Sequence, residues 1–288
     1  MKAGFWLALG ATSTILLATP LVRAECLQFS GALEQGGFIW GRVESGSTVT
    51  LEGEPLDVLA DGTTFAGFGR DAPATAELVV EGPQPCRQTL QVAGREYRIQ
   101  RVEGVPQKTV TPPPELLERI RREAELVAGA RAPSLQRPDL LATVLDGFVW
   151  PAQGPISGVY GSQRFYNGEA GNPHYGVDVA IPKGSPVYAP AAGVVTLAEP
   201  DLFYSGGTVI LDHGYRLSST FLHMSAVSVQ VGDELQAGDL IGAVGATGRA
   251  TGPHLDWRMN WRDERIDPQL LAPPMPAPDS GPKTMPKP

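Results

Sequence analysis

The sequence predicts a mainly β protein: a small β-sandwich-like N-terminal domain, a helical linker, and a second, larger β domain. Three observations carry this. Short runs of β-branched and aromatic residues, separated by Gly and Asp-Gly turns, recur over most of the 288 residues. One charge-rich segment, 115–131, has helical spacing of its apolar positions. Prolines gather on both sides of that segment and again at the C-terminal end. The length leaves room for two modest domains, and no repeat of solenoid period is present.

Residues 1–24 read as a secretory signal: Lys2 is the positive start, 5–17 a short apolar core, and Val22-Arg23-Ala24 a small-x-small cleavage site. That core is too short to span a membrane comfortably. The expected location is therefore periplasmic or secreted. The two cysteines, Cys26 and Cys86, both lie beyond the signal, and an even count in an oxidising compartment predicts one disulfide.

Residues 25–104 form the small β domain, with strands expected at 38–43, 48–51, 76–80 and 95–99 and a turn at Asp61-Gly62. It holds no cluster of acids, histidines or nucleophiles, which assigns it to packing or docking. Residues 105–147 form the linker. A hinge is expected at 109–114, then a helix over 115–131 with Leu117, Ile120, Ala124 and Val127 on one face and Glu115 and Glu118 favouring its first turn. The helix is either a solvated arm or one that packs on another domain or protein. Pro133 and Pro138 are expected to break the segment beyond the helix.

Residues 148–271 form the larger β domain, with β-rich segments at 187–197, 208–211, 219–222 and 227–231 and Gly turns at 231–233 and 237–242. The tail, 272–288, is Pro-rich and expected to be disordered. The formal charge is −8, more negative still without Lys2 and Arg23. It argues against nucleic acid or an anionic membrane surface as a partner.

The chemistry concentrates in the second domain. Only four histidines occur, and three of them lie in His174-Tyr175-Gly176-Val177-Asp178, at His223, and in Gly252-Pro253-His254-Leu255-Asp256. Imidazole nitrogen and carboxylate oxygen at about 2 Å are what zinc requires. On a strand, His254 and Asp256 project to one side while Leu255 and Trp257 project to the other. His174 and Asp178 converge if the chain turns between them, which Gly176 makes easy. The fourth histidine, His213, sits at an expected hairpin turn in a structural or exposed position. The Gly/Thr loop 245–252 lacks the Gly-Lys-Ser/Thr of a phosphate loop.

In these motifs the chain resembles the LytM/lysostaphin-type zinc metallopeptidases, which cut peptide cross-links in bacterial cell walls. The family pattern is His-x-x-x-Asp, then an isolated His, then His-x-His. The match runs through His174 and Asp178, Phe221-Leu222-His223-Met224, and His254-Leu255-Asp256. Flanking stretches at 158–162, 184–190 and 244–253 match as well, so the resemblance covers about 150–271. It implies a two-layer, partly open β-barrel, the duplicated hybrid motif, with one Zn²⁺ in a groove. It implies His174, Asp178 and Asp256 as metal ligands, and His223 and His254 as the catalytic histidines beside them. The implied substrate is peptidoglycan peptide; if the N-terminal domain docks rather than packs, its expected partner is another cell-wall or envelope protein.

The chain departs from the pattern at Asp256, where the family has a zinc-binding His. Carboxylate is a legitimate zinc ligand, but the charge changes. Two carboxylates and one imidazole neutralise Zn²⁺, whereas one carboxylate and two imidazoles leave the site positive. A less positive metal acidifies its water less, so an altered catalyst or metal preference is expected. The other reading of Asp256 is a salt-bridge partner of Arg258. The activity so implied is that of a metalloendopeptidase. The alternative is a degenerate relative that binds the wall or activates another hydrolase.

Overall fold

The computed structural model describes residues 26–103 and 114–276. The expected signal at 1–24, the hinge at 109–113 and the tail beyond 276 lie outside the described residues. The chain is mainly β. N-terminally, one three-stranded sheet joins Phe29–Gly31, Phe38–Arg42 and Thr63–Gly67, and one four-stranded sheet runs Glu54–Leu56, Thr48–Leu51, Thr75–Glu81, Cys86–Gln91. Alternation of buried and exposed residues is clear in the four-stranded sheet. In Thr75–Glu81, Ala76, Leu78 and Val80 are buried while Thr75, Glu77 and Glu81 are exposed. Cys26 and Cys86 are disulfide-bonded, with Cα atoms 5.7 Å apart.

The segment expected as a strand at 95–99 behaves differently. Residues 95–98 are not in a strand, and Ile99–Val102 pairs in parallel with Gln163–Tyr166. The exit from the N-terminal sheets thus completes a sheet of the C-terminal half. Arg70 and Tyr97 hold the same junction: Arg70 Nε donates to the Gly161 carbonyl at 3.0 Å, and the Tyr97 hydroxyl donates to the Arg70 carbonyl at 3.1 Å.

Helix α1, Leu117–Arg131, forms where its spacing predicts, preceded by a 3₁₀ turn at Pro114–Leu116. Its docking face is rotated from the expected one. Leu117 and Ala124 are exposed, while Val127 and Ala130 pack on Leu197, Leu202 and Ile210. Polar anchors set this orientation: Glu123 accepts from the Phe203 N–H at 2.7 Å, and Arg119 donates to the Asp201 carbonyl at 2.6 Å. A second helix, α2 (Pro138–Leu145), stands where Pro138 was expected only to break structure. Proline suits a first helical turn, where its missing N–H has no partner to lose. Leu140, Leu141 and Val144 bury its inner face.

The C-terminal half is built on an eight-stranded antiparallel sheet. Its order is Glu234–Leu235, Gly193–Leu202, Gly206–Asp212, Leu217–Met224, Leu255–Trp261, Gly176–Val179, Ile156–Gly158, with Glu264–Ile266 added to Leu255–Trp261. A three-stranded sheet of Pro186–Tyr188, Leu240–Ala243 and Ala226–Val227 accompanies it. The apolar face of the large sheet carries Val177, Phe221, Leu255, Trp257 and Met259, all fully buried. Trp257 meets the rings of Phe148 and Trp150 at 5.8 and 5.6 Å. The core continues into the N-terminal sheets through Phe38 against Trp261 (6.4 Å) and Phe65 against Tyr215 (5.6 Å).

His213 is wholly buried and structural. Its Nδ1–H donates to the Ala192 carbonyl at 2.7 Å and its Nε2 accepts from the Ser219 hydroxyl at 2.9 Å. Burial pushes its pKa down to about 4, against the pull of the Ala192 carbonyl. Between about pH 6.5 and pH 4 the unfolded chain binds a proton there that the folded chain does not, so stability falls as pH falls through that window. The loss at this site is about 3 kcal/mol. His213→Asn is therefore expected to be less stable than the parent at pH 7, with a gap that narrows by about that amount at pH 4. Denaturant unfolding of both proteins at the two pH values measures it. Asp212 next door, raised to about 6 by burial, has the opposite slope. It is present in both proteins and cancels in the comparison.

Candidate metal centre

Three neighbouring strands write the site in two rows on one face of the large sheet. Asp256 of Leu255–Trp261 stands opposite Asp178 on one side and Leu222 on the other. One step along, Arg258 stands opposite Gly176 and Thr220. With side chains alternating, Val177, Leu255 and Trp257 fill the core while the residues between them lie on the opposite face of the sheet. Helix α1 lies on the same face, where Arg131 Nη2 donates to the Thr220 hydroxyl at 3.0 Å.

His174 precedes the strand Gly176–Val179. Its backbone is clamped by the segment at 161–162: the Gly161 N–H donates to the His174 carbonyl at 2.7 Å and the His174 N–H to the Ser162 carbonyl at 2.8 Å. Two glycines make space for the acids. A Cβ at Gly158 would lie 2.1 Å from Asp178 Oδ2, and one at Gly176 would lie 2.5 Å from Asp256 Oδ1 and 2.6 Å from Arg258 Cγ. Gly176 was expected to ease a turn. Its φ is not positive, and its function is to leave room.

His174 Nε2 and Asp178 Oδ1 come within 3.1 Å. Both atoms are buried and neither has a hydrogen-bond partner. One ligand atom from each of His174, Asp178 and Asp256 lies within 4.8 Å of the others. Buried polar atoms are nearly always satisfied. A pair left open, one imidazole nitrogen facing one carboxylate oxygen with a second carboxylate beside them, fits a divalent cation with N and O ligands. Burial works against a charged His174, but Asp178 beside it and the charge of Asp256 outweigh this and hold its pKa above the ordinary imidazole value.

His223 and His254 stand together, ring centroids 4.9 Å apart, and His254 Nε2 is 3.9 Å from Asp178 Oδ1. Each Nδ1–H donates to a loop carbonyl: His223 to Thr247 and His254 to Gly252, both at 2.8 Å. These bonds leave Nε2 as the free nitrogen of each neutral ring. The Gly/Thr loop 245–252 thus orients both imidazoles. His223 also has a left-handed backbone, φ 64°. Phe221 and Met224 both enter the core, so strict alternation breaks between them. The register against Gly206–Asp212 shifts at this place, a bulge that re-aims a side chain beside the site. Burial lowers the His223 pKa, with the Thr247 carbonyl and Asp256 opposing.

Asp256 is placed where both sequence readings need it. It joins the cluster with His174 and Asp178, and it is a salt-bridge partner. Arg258 Nε lies 3.0 Å from each carboxylate oxygen and Nη2 lies 2.6 Å from Oδ2. Asp256 is only 2% exposed. Burial would raise its pKa, but the charge and hydrogen bonds of Arg258 outweigh this and hold it below the usual carboxylate range. The sequence expectation of a less positive metal site counted Asp256 alone; in the structure the Arg258 guanidinium stands against its carboxylate. Its signal in the sequence is its place two residues beyond Asp256 on the same strand face.

The chain thus joins a mainly β scaffold to a His/Asp cluster that could hold a metal ion, flanked by two oriented histidines. The sequence profile of peptidase family M23 matches residues 172–268. A solved structure of a Pseudomonas aeruginosa protein assigned to peptidase M23 is 31% identical, with a TM-score of 0.61, over 83% of this chain and 93% of that one. The chain belongs to peptidase family M23. Among curated relatives, it is 38% identical over 95 residues to the peptidoglycan DD-endopeptidase ShyA of Vibrio cholerae. It is 38% identical over 103 residues to the DD-carboxypeptidase/endopeptidase Mpg of Neisseria meningitidis. These matches cover 33% and 36% of this chain but only 22% and 24% of those proteins. No helix among the described residues is long and apolar enough to cross a membrane.

Proposed function

We propose that this protein is an exported zinc metalloendopeptidase that hydrolyses peptide cross-links of bacterial peptidoglycan. The observation that carries the reading is the open pair of His174 Nε2 and Asp178 Oδ1, buried and unpartnered beside Asp256. His174, Asp178 and one oxygen of Asp256 would hold the zinc. When bound, it supplies Lewis acidity toward water and toward the scissile carbonyl. His254, with Nε2 free beside Asp178, takes a proton from the attacking water as general base. His223, its Nδ1–H held by Thr247, presents the same free Nε2, and once protonated there it donates to the negative charge that develops on the carbonyl oxygen. The groove face between α1 and the site accepts an extended peptide. ShyA and Mpg, through their peptidoglycan and DD-peptidase names, supply the substrate class. The N-terminal sheets are proposed as the docking surface for a cell-wall or envelope partner, and the periplasm or cell exterior as the location.

A second reading is a wall-binding protein, or an activator of another hydrolase, without turnover. The engagement of both Asp256 oxygens by Arg258 favours it. The deciding experiment incubates the protein from residue 25 onward with purified peptidoglycan and measures soluble fragments, with and without a zinc chelator. Fragment release that the chelator stops and added zinc restores is the expected result. Binding without release, by protein shown to be folded, selects the second reading. Release that ignores the chelator overturns the metal mechanism.

A further inference from the structure

We propose that Asp256 and Arg258 act as one inseparable unit, a carboxylate–guanidinium pair that stands in for a neutral metal ligand. The proposal rests on the zinc reading above and specifies how this site differs within its family. Asp256 offers one oxygen toward His174 and Asp178, while Arg258 spans both oxygens at 2.6–3.0 Å. Such a fork fixes the carboxylate plane. With the guanidinium occupying the far side, Asp256 has a single direction left in which to coordinate.

The charge count supports the same unit. Asp178 and Asp256 contribute two negative charges and Arg258 one positive, so the protein presents a net single negative charge to the cation. One carboxylate with two imidazoles presents the same. The site therefore conserves its charge while exchanging its chemistry, and the second carboxylate is matched where it was expected to neutralise the metal.

The described residues around it give Arg258 no second hydrogen-bonded acceptor. Arg258 has no other hydrogen bond or ion pair than Asp256 among the described residues. Its cross-strand neighbour Thr220 is already taken by Arg131, and the positive charges of Arg131 and Arg265 lie close enough to oppose it. Gly176 leaves the room both side chains fill. Without Asp256, Arg258 is a half-buried cation beside Arg131 and Arg265, with only the charge of Asp178 near it to offset them.

Converting Asp256 to the family's histidine therefore does not by itself improve the site. Asp256→His with Arg258 retained raises the local charge by one and leaves the guanidinium unpaired. Zn²⁺ affinity, read by competition with a chromogenic chelator, is expected to fall by about 10–100-fold relative to the parent, the range seen when a group supporting a metal ligand is lost. Asp256→His/Arg258→Met removes both charges together and is expected to return to within a few-fold of the parent, a strongly non-additive cycle. If Asp256→His does not fold, Asp256→Asn with and without Arg258→Met takes its place, with coupling of the same sign expected.

The outcomes separate the two ideas. Asp256→His alone binding zinc as tightly as the parent, or more tightly, overturns the paired unit and leaves the zinc reading standing. Additive effects in the cycle do the same. A parent that binds no zinc overturns the zinc reading, and this proposal with it.

Discussion

Asp178→Ala is expected to lower chelator-sensitive peptidoglycan hydrolysis by more than about 100-fold, since loss of a direct ligand exceeds the effect of losing a supporting one. The same change should not destabilise the metal-free fold. Asp178 Oδ1 is buried with its hydrogen-bonding capacity unmet, so its removal relieves an unsatisfied acceptor, and this offsets the loss of its charge beside His174. Two measurements check this: fragment release from peptidoglycan, and thermal unfolding of chelator-treated protein. Activity lost at unchanged or higher unfolding temperature is the pattern of a residue kept for function at the expense of stability. A large fall in both would mean that Asp178 is structural.

Arg258→Met should have the opposite signature. It leaves Asp256 buried with its cation gone, and breaking a buried pair from one side costs about 3–5 kcal/mol. That loss should appear in the metal-free protein by urea unfolding. Asp256→His/Arg258→Met should recover most of it, because removing both charges of a buried pair is far cheaper than removing one. If Arg258→Met unfolds like the parent, water reaches Asp256 and the pair contributes nothing.

Much of this site was legible before any coordinates. Histidines are few here, so three of four falling in two short motifs and one isolated position singled out His174, Asp178, His223, His254 and Asp256, which the fold brings together. Strand periodicity placed Asp256 opposite in facing to Leu255 and Trp257, and the sheet bears this out. These are local rules: alternation of faces and residue chemistry act over two to five positions, and a sequence displays them directly.

What tertiary structure alone decided lies at long range. That Ile99–Val102 pairs with Gln163–Tyr166, and not with its own domain, depends on partners far apart in the chain. The docking face of α1 is set by Glu123 and Arg119 reaching Phe203 and Asp201, contacts that no helical wheel contains. The roles of Gly158 and Gly176 depend on carboxylates across the sheet. Arg258 was visible as a neighbour of Asp256, but whether it is exposed and weak or buried and binding depends on how much water the fold removes around it. The sequence by itself determined which groups could meet a metal. The fold decided how those groups are partnered, because it buries Asp256 and sets the half-buried guanidinium of Arg258 across both its oxygens.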